Sequence, residues 1–230
     1  RMSVAALLRP NRGAVLRGAL IANTLLVGTL LYVLFTPAAI DPPRYTLYGL
    51  LWVGVGLAVL SREATVARSA TVRAHRAAAG VAVAYLGALA LAGGVVVPGG
   101  VPGAVADGWF VRTLPPGWGP ALVFGGEAVA LVLMPARVAG YLALAALVRG
   151  SVLDAAGLRS GVPGLLALFS CVSCSLPILA GVAALVFGAG SALAATTTGL
   201  SYDISTLVFL VTVGLLYWQP LVRRSDSSHR

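Results

Sequence analysis

Residues 121–148, ALVFGGEAVALVLMPARVAGYLALAALV, hold only two charged side chains, Glu127 and Arg137. A membrane-spanning helix needs about 20 apolar residues to cross roughly 30 Å of hydrocarbon. This run is longer than that, so it reads as a single tilted span. If it crosses once, the segments before and after it lie on opposite sides of a bilayer, and Glu127 and Arg137 lie within it.

Five further apolar runs flank it, at about 18–35, 45–60, 77–97, 163–190 and 204–219. The second is short for a span, and the fifth, like the fourth, is long enough to tilt. The fold class expected is therefore all-α: one transmembrane domain over residues 1–230, built as a bundle of six helices. Composition agrees. The chain is 59% hydrophobic and 10% charged, with a mean hydropathy of +0.94. Soluble domains carry about 25% charged residues.

The net charge of +9 comes from 16 basic residues, all of them arginine. In a soluble protein such a charge suggests nucleic acid. Here the arginines border the apolar runs, which points to topology instead. Arg1, Arg9, Arg12 and Arg17 precede the first run, and Arg62, Arg68, Arg73 and Arg76 separate the second from the third. Arg149 and Arg159 separate the fourth from the fifth, and Arg223, Arg224 and Arg230 follow the sixth. Arg44 and Arg112 alone fall on the other side. Positive charge gathers on the cytoplasmic side, so both termini are expected there. The first run exceeds the 7–15 apolar residues typical of a signal peptide and reads as a retained helix. The loop from Val97 to Pro120 is rich in Pro and Gly, and its Trp109, Phe110 and Trp118 suit the headgroup level.

Polar groups inside a membrane are costly, so they are the first functional candidates. Cys171 and Cys174 hold the chain's two thiols, within FSCVSCSLP at 169–177. On a helix, positions three apart share a face, about 5–6 Å between Cβ atoms. Disulfides prefer about 3.5–4.5 Å, so such a helix favours a dithiol. Pro177 cannot donate to the Ser173 carbonyl, which frees an acceptor beside the thiols and favours a kink. Ser170 and Ser173 add hydroxyls. Paired thiols suit Cu(I) or another soft metal, or redox cycling. The bland alternative is that each cysteine is a small packing residue.

Four other residues carry lesser expectations. Glu127, in the outer third of the fourth run, is expected to be buried against other helices, protonated or paired, as a candidate proton or cation contact. Arg137 lies about 15 Å further along the axis and is expected to snorkel to the cytoplasmic interface. Asp203 reads as a helix cap and Asn23 as an interhelical hydrogen bond. Ala180, Ala184, Gly188 and Ala192 form a small-residue ladder that permits close helix approach. Arginine without lysine, with abundant Ala, Val and Gly, suggests a GC-rich genome.

PGWGPALVFGGEAVALVLMPARVAGYLALAALV, LFSCVSCSLPIL and YDISTLVFLVTVGLLYWQP resemble an uncharacterised family of haloarchaeal six-span membrane proteins. The Phe-Ser-Cys-Val-Ser-Cys-x-x-Pro core is the most specific element of that resemblance, which implies architecture and origin but no activity. A looser likeness is to small mercury or copper membrane carriers, which have fewer spans or a second cysteine pair. Thiol oxidoreductases similar to vitamin K epoxide reductase need loop cysteines that this chain lacks.

Two function classes follow. One is an accessory or assembly factor handling Cu(I) or reducing equivalents through Cys171 and Cys174. The other is a non-catalytic subunit of a larger membrane complex. Neither requires enzyme chemistry. The partners expected are the lipid bilayer and other membrane subunits, with no nucleic acid, and the location expected is the cell membrane, multi-pass.

Overall fold

A computed structural model of the chain describes residues 12–37, 43–64, 70–98, 108–157, 206–207 and 209–214. Cys171, Cys174, Ser170, Ser173, Pro177 and Asp203 lie outside them, as does the run at 163–190. The described part is mostly helical, with one small sheet between the third and fourth long helices.

The helices are α1 (Arg12–Phe35), α2 (Pro43–Glu63), α3 (Val72–Ala92) and α4 (Pro135–Gly157). At 21–24 residues each is about 31–36 Å long. All four are long and apolar enough to cross a membrane, over Val15–Phe35, Pro43–Glu63, Val72–Ala92 and Pro135–Asp154. This supports a membrane protein with four spans among the described residues.

Their ends follow from local chemistry. Thr71 caps α3, its hydroxyl accepting from the Ala74 amide at 3.3 Å. At the other end Gly94 adopts φ +67°. The Gly94 amide donates to Leu91 O at 3.2 Å and the Val95 amide to Ala90 O at 2.8 Å. This pair of bonds around a left-handed glycine is a Schellman stop. Pro135 opens α4, where its missing N–H costs nothing and its fixed φ suits the first turn.

The stretch between α3 and α4 is not the irregular loop plus helix expected from hydropathy. It forms β1 (Val96–Pro98), β2 (Gly108–Arg112), β3 (Ala121–Gly125) and β4 (Val129–Leu133). The sheet order is β1-β4-β3-β2, antiparallel throughout. Three hairpin-linked strands with the remaining one laid beside the last make a Greek key. The run at 121–148 is thus a β-hairpin followed by a helix, and the all-α expectation is corrected. The physical cause is punctuation. Gly125-Gly126 is a turn signal, and Pro135 starts a new helix rather than bending an existing one.

α2, α3 and α4 form the packed core. Small residues set its closeness: a Cβ on Gly56 would stand 2.8 Å from the Ala139 carbonyl oxygen. Without a hydrophobic force between helices in lipid, such close packing is what drives association. The buried stripe of α2 is Thr46, Gly49, Trp52, Gly56 and Val59. It meets Ala136, Ala143, Leu144, Leu147 and Val148 of α4 in one apolar cluster. α1 lies against α2 but contributes no residue to the buried core among the described residues.

Candidate functional site: an aromatic junction beneath the sheet

The most organised polar and aromatic arrangement among the described residues lies where the helices meet the sheet. Trp52, near the middle of α2, is its centre and is buried. Its ring stacks on Phe209 at 4.1 Å between centroids and 12° between planes. Tyr141 meets it edge-on at 6.1 Å, and Trp118 lies tilted at 6.1 Å. Offset and edge contacts of this kind are favoured by the ring quadrupole. The Trp52 indole N–H donates to Thr206 Oγ1 at 3.2 Å. Gly140 makes the arrangement fit, because a Cβ there would meet Trp52 Cε3 at 2.5 Å.

The 113–120 loop clasps the helices from above. Trp118 donates its indole N–H to the Tyr45 carbonyl at 2.7 Å. The Tyr32 hydroxyl donates to Leu114 O at 3.0 Å and accepts from the Leu114 amide at 3.3 Å. The Ala136 amide, an unpaired donor of the first turn of α4, is satisfied by Gly117 O at 3.0 Å. Gly117 itself has φ +88°, and a Cβ on it would stand 2.4 Å from Gly49 C. Only glycine tolerates both the conformation and the approach.

Two open cavities flank this loop. One, about 250 Å³, is lined by Tyr45, Leu114, Pro115, Trp118 and Met134. The other, about 240 Å³, lies between α1, α2 and the loop, near Thr24, Gly28, Tyr32, Leu50 and Pro116. Both are predominantly apolar. Among the described residues no group of three or more His, Cys, Asp and Glu converges. Thr46 Oγ1, on the same α2 stripe, is buried and has no hydrogen-bond partner among the described residues.

Arg137 and Tyr141, one turn apart on α4, close the junction on the α3 side. Arg137 Nη1 donates to Gly93 O at the end of α3, and Tyr141 sits over the same glycine. A guanidinium there satisfies a terminal carbonyl and opposes the negative end of the helix dipole. Arg137 was expected to reach the opposite end of its helix. Because α4 begins at Pro135 and not near residue 121, Arg137 falls in its first turn, at the sheet end.

The chain belongs to a family. It matches the Family of unknown function (DUF7546) over residues 1–223. No curated protein and no solved structure matches it. The family match includes the Cys-x-x-Cys segment, although the described residues do not.

The remaining expected residues divide. Glu127 is not buried between helices; it is exposed in the turn between β3 and β4. Asn23 is exposed on α1, not enclosed at a helix interface. Trp52, Trp118, Tyr141 and Gly140 went unnoticed from sequence as a group. The spacing of Gly49, Trp52, Gly56 and Val59 on one face of α2 was the available signal.

Proposed function

We propose that the protein is a six-span membrane protein with both termini cytoplasmic, and that Cys171 and Cys174 handle a soft metal, Cu(I) first, or reducing equivalents. It acts as an accessory or assembly factor. The observation that carries this is the Cys-x-x-Cys-x-x-Pro spacing inside an apolar run. Two thiolates on one helical face are a soft-ion grip, and Ser170, Ser173 and the carbonyl released by Pro177 supply polar neighbours.

Support for the fifth crossing comes from the positions of the described chain on either side of it. Gly140 packs against Trp52 and Phe209, so residue 209 lies near the sheet end. Gly157, the end of α4, is 17 residues further on, or about 25 Å along the axis. The described chain therefore leaves α4 at one end of the bundle and resumes at residue 206 nearer the other, which supports a crossing between the two. Support for the orientation comes from charge. Among the described residues Arg12, Arg17, Arg62, Arg73, Arg76 and Arg149 stand away from the sheet, and Arg44, Arg112 and Arg137 stand near it. The positive-inside rule then puts the sheet on the outer face.

Copper content of the protein purified from copper-supplemented membranes tests the thiol role. Bound Cu(I) that disappears in Cys171→Ser and in Cys174→Ser supports it. Absence of copper and of any reversible thiol oxidation in the wild type would overturn it.

A second reading, a non-catalytic subunit of a larger membrane complex, is favoured by α1. Its apolar residues, from Val15 to Phe35, remain largely exposed. A stable partner retained by the Cys171→Ala, Cys174→Ala double variant, with no metal in either form, is the result that favours this reading.

A further inference from the structure

We propose that the open face of the Greek-key sheet beds into the headgroup–acyl boundary of the membrane that the helices cross. This stands apart from the thiol reading and depends only on the spans and the sheet.

An antiparallel sheet with one face in water alternates apolar and polar residues along each strand. This sheet does not. The register places Val111, Leu122 and Leu133 in one row, and Trp109, Phe124 and Leu131 in the next. Directly paired residues and those two positions along share a face. That face is apolar at all six positions, and Trp109 and Val111 on it are 58% and 64% exposed. The opposite face carries the buried Ala121, Val123 and Ala130.

What covers the open face is indicated by what it adjoins. β4 passes into α4 through Met134 alone, so the row of Val111, Leu122 and Leu133 lies directly above a spanning helix. The helices below it also expose apolar side chains, Leu47 and Leu142 among them. Trp109 tilts against Phe124 at 5.1 Å, an aromatic pair of the kind that sits at headgroup level. Charge follows the same axis. The exposed Arg44 and Arg112 lie at the helix-proximal end, where lipid phosphates are found, and the exposed Glu127 marks the distal turn. The edge strand β2 explains why the sheet stops at the boundary. Its outer edge pairs with no strand among the described residues, and such backbone groups need water or headgroups, not hydrocarbon.

Nitroxide labels on single cysteines at Val111, Leu122 and Glu127 test this, in a Cys171→Ser, Cys174→Ser background. The full chain is reconstituted in phosphatidylcholine vesicles with and without phosphatidylglycerol. Collision with oxygen is compared with collision with a water-soluble nickel chelate. The expected result is oxygen exceeding nickel at 111 and 122, and nickel exceeding oxygen at 127. Nickel exceeding oxygen at 111 and 122 would place the face in water and overturn the proposal. Protection from both reagents would also overturn it, because a second copy, a partner subunit or another segment of the chain would then cover the face. Quenching of tryptophan emission by dibrominated lipid gives an independent readout, with the quenched fraction expected to fall in Trp109→Phe. An unchanged fraction counts against the proposal.

Discussion

Residues 121–133 and 135–148 adjoin, are comparably apolar, and fold differently. The first stretch places Val123, Phe124, Val129 and Val132 on two strands, with Gly125 ending β3 and Gly126 opening the turn. The second places Ala136, Ala139, Ala143, Ala145 and Ala146 on a helix that begins with a proline. β-branched and aromatic side chains fit a pleated surface, and alanine leads the helix propensities. Hydropathy alone cannot separate the two stretches. The difference lies in side-chain shape and in where glycine and proline fall. It also changes location. The helix belongs to the spans, and the hairpin sits beyond their ends, above the Trp52 junction.

The two regions are expected to respond differently to substitution. The largest effect is expected in the helical region. Trp52→Ala removes the ring that contacts Phe209, Tyr141 and Trp118. It should cost about 3–5 kcal/mol, read as a lower thermal midpoint in detergent. Gly117→Ala strikes the seam between the regions. A positive φ outside glycine costs about 1–3 kcal/mol, and the close Gly49 backbone adds to that. Arg137→Ala removes a cap from α3 and should cost about 0.3–1 kcal/mol, lost gradually as salt is raised in the wild type. The smallest effect is expected at the hairpin tip. Glu127→Ala should change stability by no more than about 0.5 kcal/mol, as exposed substitutions do. A large loss there would mean that Glu127 is buried, as a single span over 121–148 requires.

Much of the helical region was legible from sequence. Run length located α1, α2, α3 and most of α4, because a span must be long and apolar whatever its neighbours are. The arginine pattern likewise anticipated which helix ends stand together. The sheet was missed because window-averaged apolarity is blind to period, and a short apolar strand matches a helix segment on that measure. Gly125-Gly126 and Pro135 were the signals that separate them. Misplacing the helix start by some 14 residues then moved Glu127 into the membrane and Arg137 to the wrong end. The aromatic junction was harder to see. Trp52, Trp118, Tyr141 and Phe209 come from separate parts of the chain, and only the fold brings them together.

Cross-strand disulfide formation tests most directly whether one apolar run holds two structures. Phe124 pairs with Leu131 and Val123 with Val132 in the β3–β4 register, with Cα atoms about 4.5–5.5 Å apart. On a helix the same pairs would be about 10–14 Å apart, beyond the reach of a disulfide. Cysteines are placed at each pair in turn, and at Ala139 with Ala146 within α4 as the control, all with Cys171→Ser and Cys174→Ser. Mild oxidation should cross-link at least one of the two hairpin pairs within a single chain and leave the α4 pair as free thiols. Failure of both hairpin pairs to cross-link, with all six thiols reactive and the protein folded, would mean that β3 and β4 are not paired.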